Sequence, residues 1–387
     1  MFTPIKLKLT DRGYKTIKYH HPWIYQKSLI FSKNQNKKLK TGAAIELEYN
    51  NLNVGIGIYF ENSLYAVKMI EFGEYAKWSE IKNIITKKIN DALKYRKFLS
   101  CDNNCRLFFS EADGLPGLII DRYENLIVAQ YSNTGILILK DIINEILKSK
   151  FSEFSIIEIL ENGNKNWIKN EITLPICVEM DNIKFLINPL SGQKTGFYLD
   201  QRANRNFIAE YIKPQMAVLD AFAYTGAFAL YALKKQANVD IIESNNKCIE
   251  LFEKMRVLNN FQNCGIYQGR VDEILKSLQY LQKKYDVILL DPPALVNSAN
   301  QKNKALKYIY YLFADALKLL KDSGIITVSV CSYALTDEQL KQTLLNAASV
   351  CNKKFNIIAE RSASLDHPIP LHFPEANYLK FLVMKLY

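Results

Sequence analysis

Four side chains stand where a β-like run gives way to a turn: Asp220, Glu243, Asp291 and Cys331. The first closes Ala217-Val218-Leu219-Asp220 and leads into Phe222-Ala223-Tyr224-Thr225-Gly226, a turn with one glycine before a helical pattern. A glycine there lets backbone approach a ligand closely. Glu243 ends the next apolar run, about twenty residues on, where an acid can hydrogen-bond both ribose hydroxyls of a nucleoside. One glycine rather than the three of G-x-G-x-x-G provides poorly for a pyrophosphate. A nucleoside without phosphates fits better, and S-adenosylmethionine is such a ligand. Ordinary strand-end solvation explains Asp220 and Glu243 equally well from the sequence alone.

Asp291-Pro292-Pro293-Ala294 follows a third run of this kind. Two prolines make a rigid turn that aims an acidic side chain and carbonyls outward, a presentation suited to a planar base. Cys331, in Val328-Ser329-Val330-Cys331-Ser332-Tyr333, ends a fourth. A thiolate there could add to carbon 6 of a pyrimidine and make carbon 5 nucleophilic. A buried structural cysteine is the alternative.

The elements that would position these residues are legible in the patterning. From about residue 205 strands alternate with helices, which implies crossover units and a mainly parallel sheet with ligands at its carboxyl edge. The final run, Tyr378–Tyr387, lacks a crossover before it and is expected to enter antiparallel. Residues 1–75 read as short alternating strands (IKLKL, AAIELEY, VGIGIYF, LYAVKMI) with a basic loop at 33–40, a small all-β module. Residues 76–190 read as an α+β module: an amphipathic helix over 78–99, strands, a helix near 134–149 and a hairpin. Residues 191–387 hold the candidate chemistry.

The chain has 387 residues, 49% hydrophobic and 23% charged, as expected of a globular protein. Its 50 Lys and Arg against 39 Asp and Glu give a net charge of +11, which favours polyanionic partners as readily as it reflects biased residue usage. No leader pattern or membrane-length apolar run is visible. Seven scattered cysteines, with only Cys101 and Cys105 close together, suit a reducing cytoplasm and argue against a zinc site.

Several segments together resemble the bacterial ribosomal RNA large subunit methyltransferase I family of cytosine-5 methyltransferases: His21-Pro22-Trp23-Ile24-Tyr25, Glu111 through Tyr123, Ser191 through Arg202, Asp220 through Phe228, Asp291-Pro292-Pro293, Asp366-His367-Pro368 and Phe373-Pro374-Glu375. The resemblance implies an RNA-binding PUA-like β-barrel, a small central α+β domain and a Rossmann-like class I methyltransferase domain. It implies S-adenosylmethionine as cofactor and 23S rRNA, or a precursor of the large ribosomal subunit, as partner; a homodimer is left open. It assigns Asp220, Tyr224, Thr225 and Gly226 to the cofactor turn and Glu243 to the ribose. Gln193, Lys194 and Thr195 would wall the cleft, Asp291 would lie beside the target base, and Cys331 would be the nucleophile. Two departures stand out. Gly269-Arg270-Val271-Asp272 lacks the family's strand-end Asp for adenine, leaving Asp272 or backbone to serve. Tyr333-Ala334 replaces a His-His pair, leaving His367 as the nearest histidine. The rival readings are a guanine-nitrogen methyltransferase and a non-catalytic ribosome-assembly factor on the same fold.

Overall fold

A computed structural model describes residues 2–32, 35, 39–293 and 301–387 of the protein. Most of the basic stretch expected as a loop at 33–40, and Ala294 of the Asp-Pro-Pro-Ala turn, lie outside the described residues. The chain forms two compact units. The first comprises Met1–Val178, Ile187–Leu199 and Leu365–Ala376; the second comprises Glu179–Leu186, Asp200–Ser364 and Asn377–Tyr387.

In the first unit, β1 (Ile5–Leu9), β2 (Trp23–Tyr25), β3 (Leu29–Ile30), β4 (Ala44–Tyr49), β5 (Leu52–Tyr59) and β6 (Tyr65–Phe72) form one sheet in the order β2-β6-β5-β4-β1-β3. Alternation drives it: Leu7, Leu9, Ile45 and Leu47 point inward, while Lys6 and Glu48 pair outside at 2.8 Å. A short helix, α1 (Asp11–Lys18), capped by the Thr10 side chain, interrupts the strands where no helix was expected. The central module follows with α2 (Ile81–Phe98), β7 (Asn104–Phe109), β8 (Leu118–Tyr123), β9 (Leu126–Tyr131), α3 (Lys140–Lys150), β10 (Ser155–Ile159) and β11 (Lys165–Lys169). Its sheet runs β11-β10-β9-β8-β7. Ile81, Ile85, Ile89 and Ala92 of α2 share one core with Ile56, Ile58 and Ile70 of the six-stranded sheet. The hairpin β12 (Ile176–Met180) and β13 (Ile183–Ile187) is a separate two-stranded sheet, and its Glu179–Leu186 stretch counts with the second unit.

The second unit is built on a seven-stranded sheet. Its strands are β14 (Ala217–Ala221), β15 (Asn238–Glu243), β16 (Cys264–Gln268), β17 (Tyr285–Leu290), β18 (Leu320–Cys331), β19 (Phe355–Arg361) and β20 (Leu379–Leu386). The order is β16-β15-β14-β17-β18-β20-β19. The first five pair in parallel, and β20 enters antiparallel beside β18, as the missing crossover predicts. Among the described residues, six α-helices connect or precede the strands: α4 (Arg202–Ala209), α5 (Ala227–Lys234), α6 (Asn246–Leu258), α7 (Val271–Tyr280), α8 (Lys302–Leu317) and α9 (Asp337–Val350). Coverage on both faces explains why Val218, Leu219 and Ala221 of β14 are all buried rather than alternating. Thr336 and Gln339 form a capping box that starts α9.

Candidate active site

At the carboxyl end of β14 the chain turns sharply. Phe222, Tyr224 and Gly226 take positive φ of 65°, 51° and 73°, a conformation costly for the two aromatic residues. A Cβ at Gly226 would lie 2.1 Å from the Phe252 ring, so glycine is required on two counts. The turn is held from the next strand: Glu243 Oε2 accepts the Tyr224 N–H at 2.8 Å, and Oε1 accepts those of Ser244 and Asn245, each at 2.8 Å. Three backbone donors thus set the Glu243 carboxylate at the sheet edge. Beneath it, Asp220 is buried and accepts the Ala229 N–H of α5 at 2.9 Å. Burial pushes its carboxyl up to about 8 against the pull of that bond, with Asp291 and Glu243 adding to the rise.

Asp291 follows β17 directly. Its Oδ1 accepts from Gln201 Nε2 at 3.2 Å, and the same nitrogen donates to Ser329 Oγ of β18 at 3.0 Å. The buried Arg205 guanidinium of α4 lies in the field of Asp200, Asp291 and Asp181, although burial itself works against its charge. Cys331 ends β18, half-buried, opposite Leu379 of β20. Next to Leu379, the buried Lys380 donates to the Ser332 carbonyl at 3.1 Å; burial lowers its pKa while Asp337, Cys331 and Glu338 support its charge. Asp220, Glu243, Asp291 and Cys331 therefore share one edge of one parallel sheet.

The other singled-out residues stand elsewhere. Asp272, in the first turn of α7, pairs with Arg270 at 3.0 Å, which holds its carboxyl below the usual range. Just before it, Gly269 donates its N–H to the Glu243 carbonyl at 3.1 Å. Gln193, Lys194 and Thr195 belong to the first unit. Thr195 is fully buried and bonds Asp121 at 2.5 Å and Tyr123 at 3.1 Å. Gln193 accepts from the Tyr198 hydroxyl at 2.6 Å, and the Lys194 ammonium lies 4.1 Å from the Tyr198 ring centroid. His367 is also in the first unit, where its Nδ1 bonds Asp366 at 2.8 Å. Glu375 there reaches His21 at 3.3 Å. Sequence reasoning gave no role to Gln201, Arg205, Ser329 or Lys380. Only the Asp200-Gln201-Arg202 segment drew notice, as part of a resemblance.

Residues 212–372 match the family model of a methyltransferase domain, and residues 7–72 that of a PUA-like domain. The ribosomal RNA large subunit methyltransferase I of Shewanella frigidimarina is 28% identical, covering 99% of this chain and 100% of that protein. The protein of that name from Pseudoalteromonas atlantica is 29% identical over 96% and 97%. The chain is a full-length homologue of the ribosomal RNA large subunit methyltransferases I. A solved SAM-dependent methyltransferase from Streptococcus mutans shares the fold, with a TM-score of 0.85 at 19% identity over 98% and 100% of the two chains. So does a methyltransferase solved with SAH, with a TM-score of 0.86 at 19% identity over 98% and 100%.

The second unit is accordingly a class I S-adenosylmethionine-dependent methyltransferase domain, behind a PUA-like domain. Its residues fit that cofactor. An anchored strand-end carboxylate, Glu243, suits a ribose diol, and the single-glycine turn offers a close backbone approach without a pyrophosphate cradle. Among the described residues, no cluster of His, Cys, Asp and Glu could hold a metal ion, and no helix is long and apolar enough to cross a membrane.

Proposed function

We propose that this methyltransferase modifies carbon 5 of a cytosine in 23S rRNA through a covalent cysteine adduct. Asp291 and Cys331 stand at the carboxyl ends of adjacent strands β17 and β18, beside the acid-bearing ends of β14 and β15, and this observation carries the reading. Full-length kinship with the large subunit methyltransferases I supports ribosomal RNA as the substrate. The net charge of +11 suits it.

The target base leaves its stack to reach the sheet edge. Asp291 hydrogen-bonds the base and steadies charge developing on the ring. The Cys331 thiolate adds to carbon 6, so the electron pair of the 5,6 double bond becomes available at carbon 5. Cys331 supports the charge of the buried Lys380 beside its strand. S-adenosylmethionine, when bound, would supply an electrophilic methyl group, which carbon 5 takes as the sulfonium–methyl bond breaks and S-adenosylhomocysteine departs. A base then removes the carbon-5 proton, the carbon–sulfur bond breaks and Cys331 returns as thiolate. Glu243 and the Phe222–Gly226 turn hold the nucleoside part of the cofactor, and Asp272 or the Gly269 backbone meets its adenine.

The test is transfer of labelled methyl groups into deproteinised 23S rRNA, followed by nucleoside mass spectrometry. Label is expected in 5-methylcytidine, with a loss of more than about 1000-fold in Cys331→Ala. Label in a methylguanosine, indifferent to Cys331, would move the chemistry to a ring or exocyclic nitrogen. Absence of both transfer and cofactor binding would favour a ribosome-assembly factor.

A further inference from the structure

Gln201 lies at the centre of a buried network that the chemistry above does not use. Its side chain is 4% exposed. Its Oε1 accepts from Asn204 Nδ2 at 2.8 Å, and Asn204 Oδ1 accepts from Arg361 Nε at 3.0 Å while its amide group also donates to the Ser362 carbonyl at 3.1 Å. Arg361 has no acceptor on its guanidinium, so the Asn204 oxygen must face it. That fixes the Asn204 amide, which in turn fixes the Gln201 amide with its NH2 group toward Asp291 and Ser329. One N–H then meets the Asp291 carboxylate at 3.2 Å and the other the Ser329 hydroxyl at 3.0 Å. Ser329 precedes Cys331 by two residues on the same strand. Gln201 therefore ties the end of β17 to the end of β18.

We infer that Gln201 is a positioning residue for Asp291, fixing its carboxylate relative to the Cys331 strand and keeping it charged. The inference rests on the assignment of Asp291 to the target base. A bond donated to the charged form of a carboxylate favours that form. A donor held on both sides cannot swing away, so Asp291 meets the base in one orientation without reorganising. Among the described residues, Asp291 acts on the charges of Arg205 on α4 and Asp220 on β14, and Asp200 acts on Arg205 in turn. Arg205, Asp220 and Asp200 are each buried, and none of them is replaced in the test.

The experiment compares Gln201→Leu, Gln201→Glu and Asp291→Asn in methyl transfer to deproteinised 23S rRNA between pH 5.5 and 8.5. S-adenosylmethionine affinity and thermal unfolding are measured alongside. Gln201→Leu is expected to lose about 100-fold in kcat across the whole range with unchanged cofactor affinity. Gln201→Glu places a second carboxyl against Asp291. Two such groups share one proton on acidification, and the protonated acid then donates to Asp291 as the amide did. Its activity, relative to the unmodified enzyme, is expected to rise at least tenfold from pH 8.5 to 5.5. A merely structural glutamine predicts a uniform deficit without that recovery, and this result overturns the inference. Wild-type activity in both Gln201 variants, with Asp291→Asn inactive, also overturns it while leaving Asp291 in place. Full activity of Asp291→Asn would instead overturn the assignment of Asp291 itself.

Discussion

The two units bury charge in opposite ways. In the first, each deeply buried charge meets its opposite. Arg96 grips Asp113 with two bonds of 2.7 Å, and Arg106 grips Asp121 with bonds of 2.8 and 2.9 Å. Asp366 accepts the Arg106 N–H at 2.8 Å, and although burial works against its charge, His367 and Arg106 hold its carboxyl below the usual range. In the second unit, carboxylates converge. Burial pushes the Asp220 carboxyl up, and Glu243 and Asp291 at the same sheet edge add to the rise, which the Ala229 amide and Arg205 only partly offset. Complementary burial is what scaffolding requires; convergent acids at a strand edge cost stability and are kept where a ligand uses them.

This contrast is broken most forcefully in the first unit. Asp121→Ala strands the buried Arg106 guanidinium and is expected to cost about 3–5 kcal/mol in chemical unfolding. A loss within the range of surface substitutions would end the claim that these pairs hold the scaffold. In the second unit the penalties should fall on binding. Gly226→Ala combines a positive φ with a Cβ against Phe252. It is expected to weaken S-adenosylmethionine binding by more than about tenfold in calorimetric titration, with a stability loss of about 1–3 kcal/mol. Glu243→Gln keeps the shape and removes the charge. A drop in cofactor affinity of about tenfold is expected, with a loss of about 1 kcal/mol in unfolding because one backbone N–H then faces the amide NH2. Losses in stability with cofactor affinity unchanged would erase the distinction between the units.

A pH-dependent effect concerns Asp220. Its carboxyl titrates near 8 in the folded protein and near the ordinary carboxylate value, about 3.9, in the unfolded chain. Between these the folded state holds a proton that the unfolded chain has released. Stability from this group is thus fully present below about pH 4 and falls as pH rises toward 8. Asp220→Asn can still accept the Ala229 N–H and should flatten that slope, as unfolding at pH 5 and pH 8 would show. An identical slope in the variant would relocate the proton.

Much of the second unit is written locally. Each parallel strand announces itself as a short apolar run, and each candidate residue as the polar interruption that ends it, because strand ends and turns depend on neighbours in sequence. The sequence does not announce the helix α1, since Gly13 and the exposed Asp11, Arg12, Lys15 and Lys18 leave a weak apolar stripe, with Ile17 its one buried large side chain. Strand β11 was missed because Lys165-Asn166-Trp167-Ile168-Lys169 is a polar edge strand with little alternation to read.

By itself the sequence determined the order of elements in the second unit, its parallel strands with an antiparallel last strand, and the acids and thiol that end those strands, since these follow from periodicity and turn chemistry. Only the tertiary structure decided what each polar side chain faces. Gln201 meets Ser329 across 128 positions, and Arg96 meets the Asp366 carbonyl across 270. It also decided that His367 and Thr195 are bonded within the first unit, and that Lys380 lies beside the Cys331 strand. The reason is physical: a buried polar group must find a partner, and in a folded chain that partner is chosen by which strands and loops pack together, not by which residues adjoin in sequence.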